Sequence, residues 1–394
     1  MRVLLVSHNY PRFTGDPAGA YVARLAQAAA AAGATVQVLA PHAPGTAADE
    51  TQGSVRVQRF RYGPAALERV GYRGDTDRAL RDPITVLMAP FYLRQFVTSA
   101  RRAAAQFAPT VVHAHWWFPA GWAVAGLGRP FVSTSHGSDV RLFDRGGWWR
   151  RAGRSVLRRA GAVTAVSRFL AQDLERHIGP LARPVTVSPM PVDVELFAAG
   201  MTTPKSVPPR ILYAGNLVAS KGIDVLVRAY ALLRQRGLAS RLKILGEGPA
   251  QPQLERLARE LGVSGAVDWS SFVPQDRMPA EYGASTVTVL PSRGQAEGLG
   301  LTLVEALLAG CAVVATPAGG IPEVIQDGET GLLARDGDAE DLARQIARLL
   351  EDATLRERVI ATGSARVQDT YSAPTAARRF LTIYDDLASS HPAR

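Results

Sequence analysis

Two glutamates eight positions apart, Glu297 and Glu305, bracket the glycine-bearing apolar run EGLGLTLVEA. Paired carboxylates can do general acid and base work across a bond, yet this spacing points elsewhere. Ser292–Gly300 reads as a loop after a strand ending at Leu290, and Leu301 onward reads as a helix. Glu297 then lies in the loop and Glu305 one turn inside the helix, since four helical residues cover about 6 Å. Between them fall the backbone N–H groups of Leu301 and Thr302, at a helix N-terminus suited to phosphate. A ligand with hydroxyls at both ends and phosphates between, such as a nucleotide sugar, meets all three features. The same glutamates also read as a surface loop residue and a solvated helix position.

A second phosphate element is YAGNLVASKGID, Tyr213–Asp224, where Gly215 and Gly222 allow tight turns and Lys221 offers a point charge to a diphosphate. It does not follow the P-loop spacing, and a solvated loop lysine is the plain alternative. A third, weaker element follows the first strand: HNYPRFTGDPAGAYVARL, with Gly15 and Gly19 ahead of a helix. Two further stretches end strands, HAHWWFPAG (His113–Gly121) and TSHGSDV (Thr134–Val140). A neutral His136 at such a strand end can hydrogen-bond a sugar hydroxyl or an acceptor, with His115 and Asp139 as companions on the acceptor side. A packed structural histidine is the other reading. His113 and His115 lack the cysteine or acidic partners of a metal site, so no metal is expected.

These residues need elements to hold them. Apolar runs at Val3–Ser7, Thr35–Leu39, Val55–Phe60, Val111–His115, Phe131–Ser135, Ala162–Val166 and Val185–Ser188 alternate with helical stretches such as Ala20–Ala32 and Ile84–Phe107. Continuous apolar strands separated by helices predict a parallel sheet covered on both faces. PKSVPPR, Pro204–Arg210, reads as a linker. Strands at Arg210–Ala214, Leu242–Leu245, Ala266–Trp269, Thr286–Leu290 and Ala312–Ala315, with helices at Ile223–Gln235, Gln253–Leu261, Leu301–Leu308 and Asp341–Leu350, repeat the pattern. The expectation is two doubly wound, Rossmann-like α/β domains, residues 1–200 and 205–374, facing across a cleft. Ligands of such sheets sit at the carboxyl ends of the strands.

A chain of 394 residues, 47% apolar and 20% charged, suits two soluble domains. One cysteine excludes a disulfide framework. The opening residues read as a buried strand rather than a signal peptide, and no run of about 18 uncharged apolar residues predicts a membrane span. The net charge of +10 is uneven: residues 1–200 hold 24 Arg, no Lys and 13 acids (+11), and residues 201–394 hold 18 Arg, 3 Lys and 22 acids (−1). A basic first half fits an anionic partner. Within it, Asp144–Ala162 carries Trp148 and Trp149 among Arg150, Arg151, Arg154, Arg158 and Arg159. That is the composition of an interfacial basic helix, and equally of a solvated helix with packed tryptophans.

Taken together, EALLAGCAVVATPAGGIPEVIQDGETGLL (Glu305–Leu333), the two glutamates, GNLVASKG, GEGP (Gly246–Pro249) and SFVP (Ser271–Pro274) resemble the retaining glycosyltransferases of family 4, over nearly the whole chain. The resemblance implies the GT-B fold, with a helix at about 375–394 crossing back onto the first domain, and closure of the domains around a donor. It implies that Glu297 binds donor-sugar hydroxyls, Glu305 the ribose, Leu301 and Thr302 the diphosphate through backbone N–H groups, and Val273 the base through its backbone. Lys221 neutralises the diphosphate, Gly15 approaches the donor phosphate, and His136 lies beside donor sugar and acceptor. Asn216 stands where the family commonly has an arginine that reinforces diphosphate binding. Met190-Pro191-Val192-Asp193 stands where the family often has Pro-Asn-Gly-Val-Asp.

The function implied is glycosyl transfer from a UDP- or GDP-linked sugar to a hydroxyl acceptor, a lipid-linked or cell-envelope glycan. No cofactor and no metal are expected, and nucleic acid is not an expected partner, because the arginines lack the aromatic platforms of single-strand binders. The expected location is cytoplasmic, with peripheral association at the inner membrane face. A sugar-nucleotide epimerase, a phosphorylase and a non-catalytic nucleotide-binding module are the competing readings.

Overall fold

The structure, a computed structural model, describes residues 1–68, 70, 72, 82–271, 273–295 and 297–390. The chain divides into two compact units, Met1–Pro191 with Ala373–Arg394, and Val192–Ser372.

The first unit is built on eight strands: β1 Arg2–Ser7, β2 Thr35–Pro41, β3 Asp49–Gln52, β4 Val55–Phe60, β5 Val111–His115, β6 Phe131–Ser135, β7 Ala162–Ala165 and β8 Thr186–Val187. Their order is β3-β4-β2-β1-β5-β6-β7-β8. The pairs are parallel except β3 with β4. Strands β1, β5 and β6 are buried almost end to end, because helices cover both faces of a parallel sheet. On one face the long helix Pro83–Phe107 packs Tyr92, Phe96 and Ala100 against Leu4, Val6 and Val112. Strand β3 was absent from the sequence expectation: DETQ is polar and half-exposed, as an edge strand can be.

The second unit has β9 Arg210–Ala214, β10 Arg241–Leu245, β11 Val267–Ser270, β12 Val287–Leu290, β13 Ala312–Ala315 and β14 Leu332–Leu333, in the order β11-β10-β9-β12-β13-β14. All its named pairs are parallel. The parallel strands of each sheet therefore reverse their order once, between β1 and β5 in the first unit and between β9 and β12 in the second. Crevices for ligands open at such points, outside the carboxyl ends of the strands. Loops carrying the candidate residues leave those ends.

Residues 192–200 and the Pro-rich stretch 204–210 belong to the second unit, where the sequence had placed a domain end and a linker. The reason is packing. Asp193 caps the short helix Val194–Ala198, Phe197 rests 6.0 Å from the Tyr282 ring, and a side chain at Gly200 would strike the Pro279 carbonyl. The helix Ala373–Ser390 belongs to the first unit. The last four residues of the stretch 375–394 lie outside the described residues, as does Phe272 of SFVP.

Candidate functional site

In the second unit, β9 ends at Ala214 and the chain runs through Gly215 and the exposed Asn216 to a short turn, Ala219–Lys221, before the helix Ile223–Gln235. Gly222 joins turn to helix at φ +64, and a Cβ there would lie 2.0 Å from the Pro291 carbonyl oxygen, so only glycine lets the β12 loop approach. That approach brings Lys221 Nζ onto Glu297 Oε1. Ser292 Oγ donates to the same carboxylate oxygen at 2.6 Å, and Thr316 holds Ser292 through its carbonyl. The main chain of Glu297 is pinned as well: its carbonyl accepts the Gly320 N–H at 3.0 Å, and a Cβ on Gly319 would lie 1.9 Å from it. Glu297 is thus a buried, oriented carboxylate rather than a surface loop residue.

Three residues later Gly300 opens the helix Leu301–Leu308 with no side-chain cap. The first amides of a helix lack intrahelical acceptors, and here no side chain substitutes, which leaves a positive end suited to an anion. One turn inside, the Glu305 carboxylate accepts from the Tyr282 hydroxyl at 3.0 Å and from Gln275 Nε2 at 3.3 Å. Burial and the Glu305 charge push the Tyr282 phenol well above its usual range, so it stays a donor. Val273 is half-buried in the irregular segment after β11. Asn216 directs its carbonyl to the Tyr213 hydroxyl at 2.9 Å.

In the first unit, the carboxyl ends of β1, β5 and β6 gather four histidines. His115 Nδ1 lies 3.1 Å from His136 Nε2, and the Trp116 indole packs between His8 at 4.2 Å and His136 at 4.3 Å. Trp116 holds φ +67, a conformation that costs a non-glycine residue about 1–3 kcal/mol. Its amide on Thr134 O at 2.7 Å and its indole N–H on Ser138 Oγ at 3.0 Å hold it there. Burial holds all four imidazoles neutral: His8 is lowered to about 4, His115 to about 3, and His113 and His136 well below the usual value. His115 Nε2 is buried without a partner. A bare lone pair is tolerated there better than an N–H, so the His115 proton belongs on Nδ1 and His136 carries its own on Nδ1.

Asp139 does not point outward from this cluster. Its carboxylate accepts the backbone N–H groups of Trp117, His136 and Gly137 at 3.0–3.1 Å, which fixes the HGSD turn. Burial pushes it above the ordinary carboxylate range against those donors. Gly15, at φ +85, sits in a loop braced by the buried Asp16, which binds Arg12 at 2.6 Å and the Ala18 amide. The basic segment splits. The helix covers Gly147–Leu157; Trp149 packs on Phe118, whereas Trp148 is 66% exposed. Arg150 and Arg154 bond the Phe143 and Ile178 carbonyls, Arg151 is exposed, and Arg158 follows the last turn.

The structure brings Lys221 and Glu297 into contact, and His115 and His136 likewise. Ser292, Tyr282 and Gln275 were missed by sequence reasoning; Ser292 reaches Glu297 from within the same loop, and Tyr282 and Gln275 reach Glu305 from sequence-distant segments. No cluster of three or more metal-ligating side chains occurs among the described residues, and no helix among them is long and apolar enough to cross a membrane.

Residues 202–366 match the pattern of the glycosyl transferases group 1, and residues 18–196 that of glycosyltransferase family 4. The GDP-mannose-dependent alpha-(1-6)-phosphatidylinositol monomannoside mannosyltransferase of Mycolicibacterium smegmatis is 32% identical over 262 residues, spanning 60% of this chain and 67% of that one. Its Mycobacterium tuberculosis counterpart is 34% identical over 65% of its own length. The Mycobacterium tuberculosis glycogen synthase is 27% identical over 98% of this chain and 94% of its own. Among solved structures, sucrose-phosphate synthase from Thermosynechococcus elongatus superposes with a TM-score of 0.79 at 22% identity, covering 99% of this chain and all of the other. HepE from Anabaena, solved with UDP and glucose, gives 0.70 at 18% identity, covering 98% and 100%. The two parallel-sheet units and these neighbours show the GT-B fold. The chain belongs to the group 1 glycosyl transferases, of the family 4 type.

Proposed function

We propose that this enzyme moves a glycosyl group from a UDP- or GDP-linked sugar to a hydroxyl of a lipid-linked or cell-envelope glycan, with retention at the anomeric carbon and without a metal. The observation that carries the reading is the Lys221–Glu297 pair, oriented by Ser292 directly ahead of an uncapped helix N-terminus. Glu297 holds donor-sugar hydroxyls, the Leu301 and Thr302 amides and Lys221 hold the diphosphate, and Glu305 holds the ribose. Val273 meets the base, and Asn216 lies beside the diphosphate as a neutral neighbour.

In the transfer step the acceptor oxygen bonds to the anomeric carbon on the face the donor leaves. The bond from that carbon to the diphosphate oxygen breaks, and the diphosphate takes both the electron pair and the acceptor proton. Negative charge grows on the diphosphate, and a fixed ammonium with aligned amides stabilises it where it forms. No strong general base is required. In the first unit Gly15 approaches the donor phosphate, and neutral His136, with His115 behind it, orients sugar or acceptor hydroxyls. Relatives named for GDP-mannose and for a phosphatidylinositol mannoside support the donor type and a lipid-linked acceptor. The Trp148–Arg158 face is the proposed contact with an anionic inner membrane surface.

The test is a thermal-shift panel of UDP, GDP, ADP and their common sugars on wild type and Lys221→Ala, with and without chelator. Ligand bound only by the native state raises stability with the logarithm of its concentration over Kd. One diphosphate should shift wild type, unchanged by chelator, and Lys221→Ala should lose most of that shift together with about 100-fold or more in transfer rate. No shift with any nucleotide, or full transfer by Lys221→Ala, overturns the assignment.

A further inference from the structure

Beside the first half of the helix Pro83–Phe107 lies a cavity of about 300 Å³. That is the lower end of the volumes small molecules occupy. Much of its wall is apolar, from Val86, Ala89, Leu93, Phe118, Leu142 and Trp149. The apolar surface continues outside it: Leu87 is 67% exposed on the same helix, and Trp148, in edge contact with Trp149, is 66% exposed. Two residues of its wall carry a buried polar atom with nothing to bond. The Tyr92 ring packs on Phe60, Tyr62 and Phe96, and the residue is 3% exposed, yet its hydroxyl has no hydrogen-bond partner among the described residues. His8 Nδ1 is buried and unpaired in the same way, and both residues line the cavity.

Buried polar side chains are normally paired, so an orphan hydroxyl in a cavity wall marks where a ligand oxygen belongs. The surroundings are cationic. Arg145 lines the cavity, and the adjoining helix Gly147–Leu157 carries Arg150, Arg151 and Arg154 with no acidic residue. The one carboxylate in the wall, Asp139, is taken up by three backbone amides. The cavity also abuts the histidine cluster, since Trp116 forms part of its wall and its ring packs at a tilt against His136.

The geometry points to a subsite for one linear apolar chain of an amphiphilic acceptor, with the oxygen that joins chain to head bonded by Tyr92 and His8 and an anionic head facing Arg145. This rests on the proposed lipid-linked acceptor and names the residues that grip its lipid part. A half-open recess of this volume accepts a chain; a protein partner would need a face of roughly 800 Å².

Dodecyl phosphate, kept below its micelle concentration, is the probe, and titration calorimetry with intrinsic tryptophan fluorescence is the readout, with no sugar donor present. Saturable one-to-one binding is expected, with inorganic phosphate failing to compete. Ala89→Trp, at a half-exposed position, fills the cavity and should weaken binding about tenfold or more. Tyr92→Phe removes only the unpaired hydroxyl, so it should leave the melting temperature unchanged or higher and weaken binding about fivefold. The thermal shift by nucleotide diphosphate, read on the same variants, should be untouched, which separates failure here from failure of the donor assignment. Absence of saturable binding, indifference of binding to both substitutions, or uptake on anionic vesicles without binding of the soluble probe overturns the subsite.

Discussion

Lys221 differs from the other two lysines in what surrounds its ammonium. Lys205 is tied to the Ser285 and Gly310 carbonyls at 2.9 and 2.7 Å, and Lys243 to Glu281 at 2.9 Å. Lys221 alone of the three lysines meets the loop ahead of the helix Leu301–Leu308. Its neighbour Asn216 is exposed and neutral, and the nearest arginine in that loop pair, Arg293, spends its guanidinium on Asp224 at 2.7 Å while its amide bonds Ser220. The Lys221 turn therefore presents one cation where two could act. Restoring the second by Asn216→Arg should tighten nucleoside diphosphate about three- to tenfold, the range between an exposed and a charge-assisted contact. The ligand-free melting temperature should stay put, because the site is on the surface. Calorimetry on both proteins checks this; equal or weaker affinity in the variant would mean that Arg293 turns to the diphosphate already.

At the scale of elements, the helix Ala373–Ser390 meets the first unit through packing and through a buried polar contact. Leu387 sits where a side chain on Gly161 would collide with it, and the Tyr384 hydroxyl bonds His113 Nδ1 at 2.6 Å. His113 Nε2 continues the chain to Thr134 at 2.6 Å and Thr134 to Thr164 at 2.5 Å, all buried. Tyr384→Phe keeps the ring and strands His113 Nδ1, at a cost of about 1–3 kcal/mol. For a unit of this size that is roughly 2–4 °C per kcal/mol, so its calorimetric transition should fall by several degrees; an unchanged transition would show that the Tyr384–His113 bond adds nothing to holding the helix. His113 also marks how far sequence reasoning reaches. Strands opened by apolar or β-branched residues and set off by turn signals, such as β4, β5, β6 and β13, are bounded correctly from sequence, and so are the helices Ile223–Gln235 and Leu301–Leu308, which end at glycine or turn signals. The polar edge strand β3 and the two-residue β14 carry no such signal. In the site, Lys221 and Glu297 are legible from their loops. Ser292 on Glu297 and Tyr282 on Glu305 are not, because only the fold decides which hydroxyl reaches which carboxylate.

For the whole molecule the distribution of histidine is as uneven as that of charge. All seven histidines lie outside residues 192–372, so the second unit has none. The first unit buries four as neutral imidazoles, with His8 lowered to about 4, His115 to about 3, and His113 and His136 held well below the usual value, first by burial and then by the neighbouring imidazoles. An unfolded histidine takes its proton near pH 6.5. Below that pH the unfolded state binds more protons than the native one, so the first unit loses stability as pH falls from about 6.5 toward 4, at up to about 1.4 kcal/mol per pH unit for each such histidine. Asp139, held above its ordinary range, works in the opposite direction, but one carboxyl stands against four imidazoles. The second unit is the internal control, lacking the group that titrates in this window. Hydrogen exchange at pH 7.5 and 5.5, corrected for the intrinsic rate, should therefore show β1, β5 and β6 losing protection on acidification while β9, β12 and β13 keep theirs. Equal behaviour of the two sheets would mean that the four imidazoles accept protons in place, with the cluster opening to water before the unit unfolds.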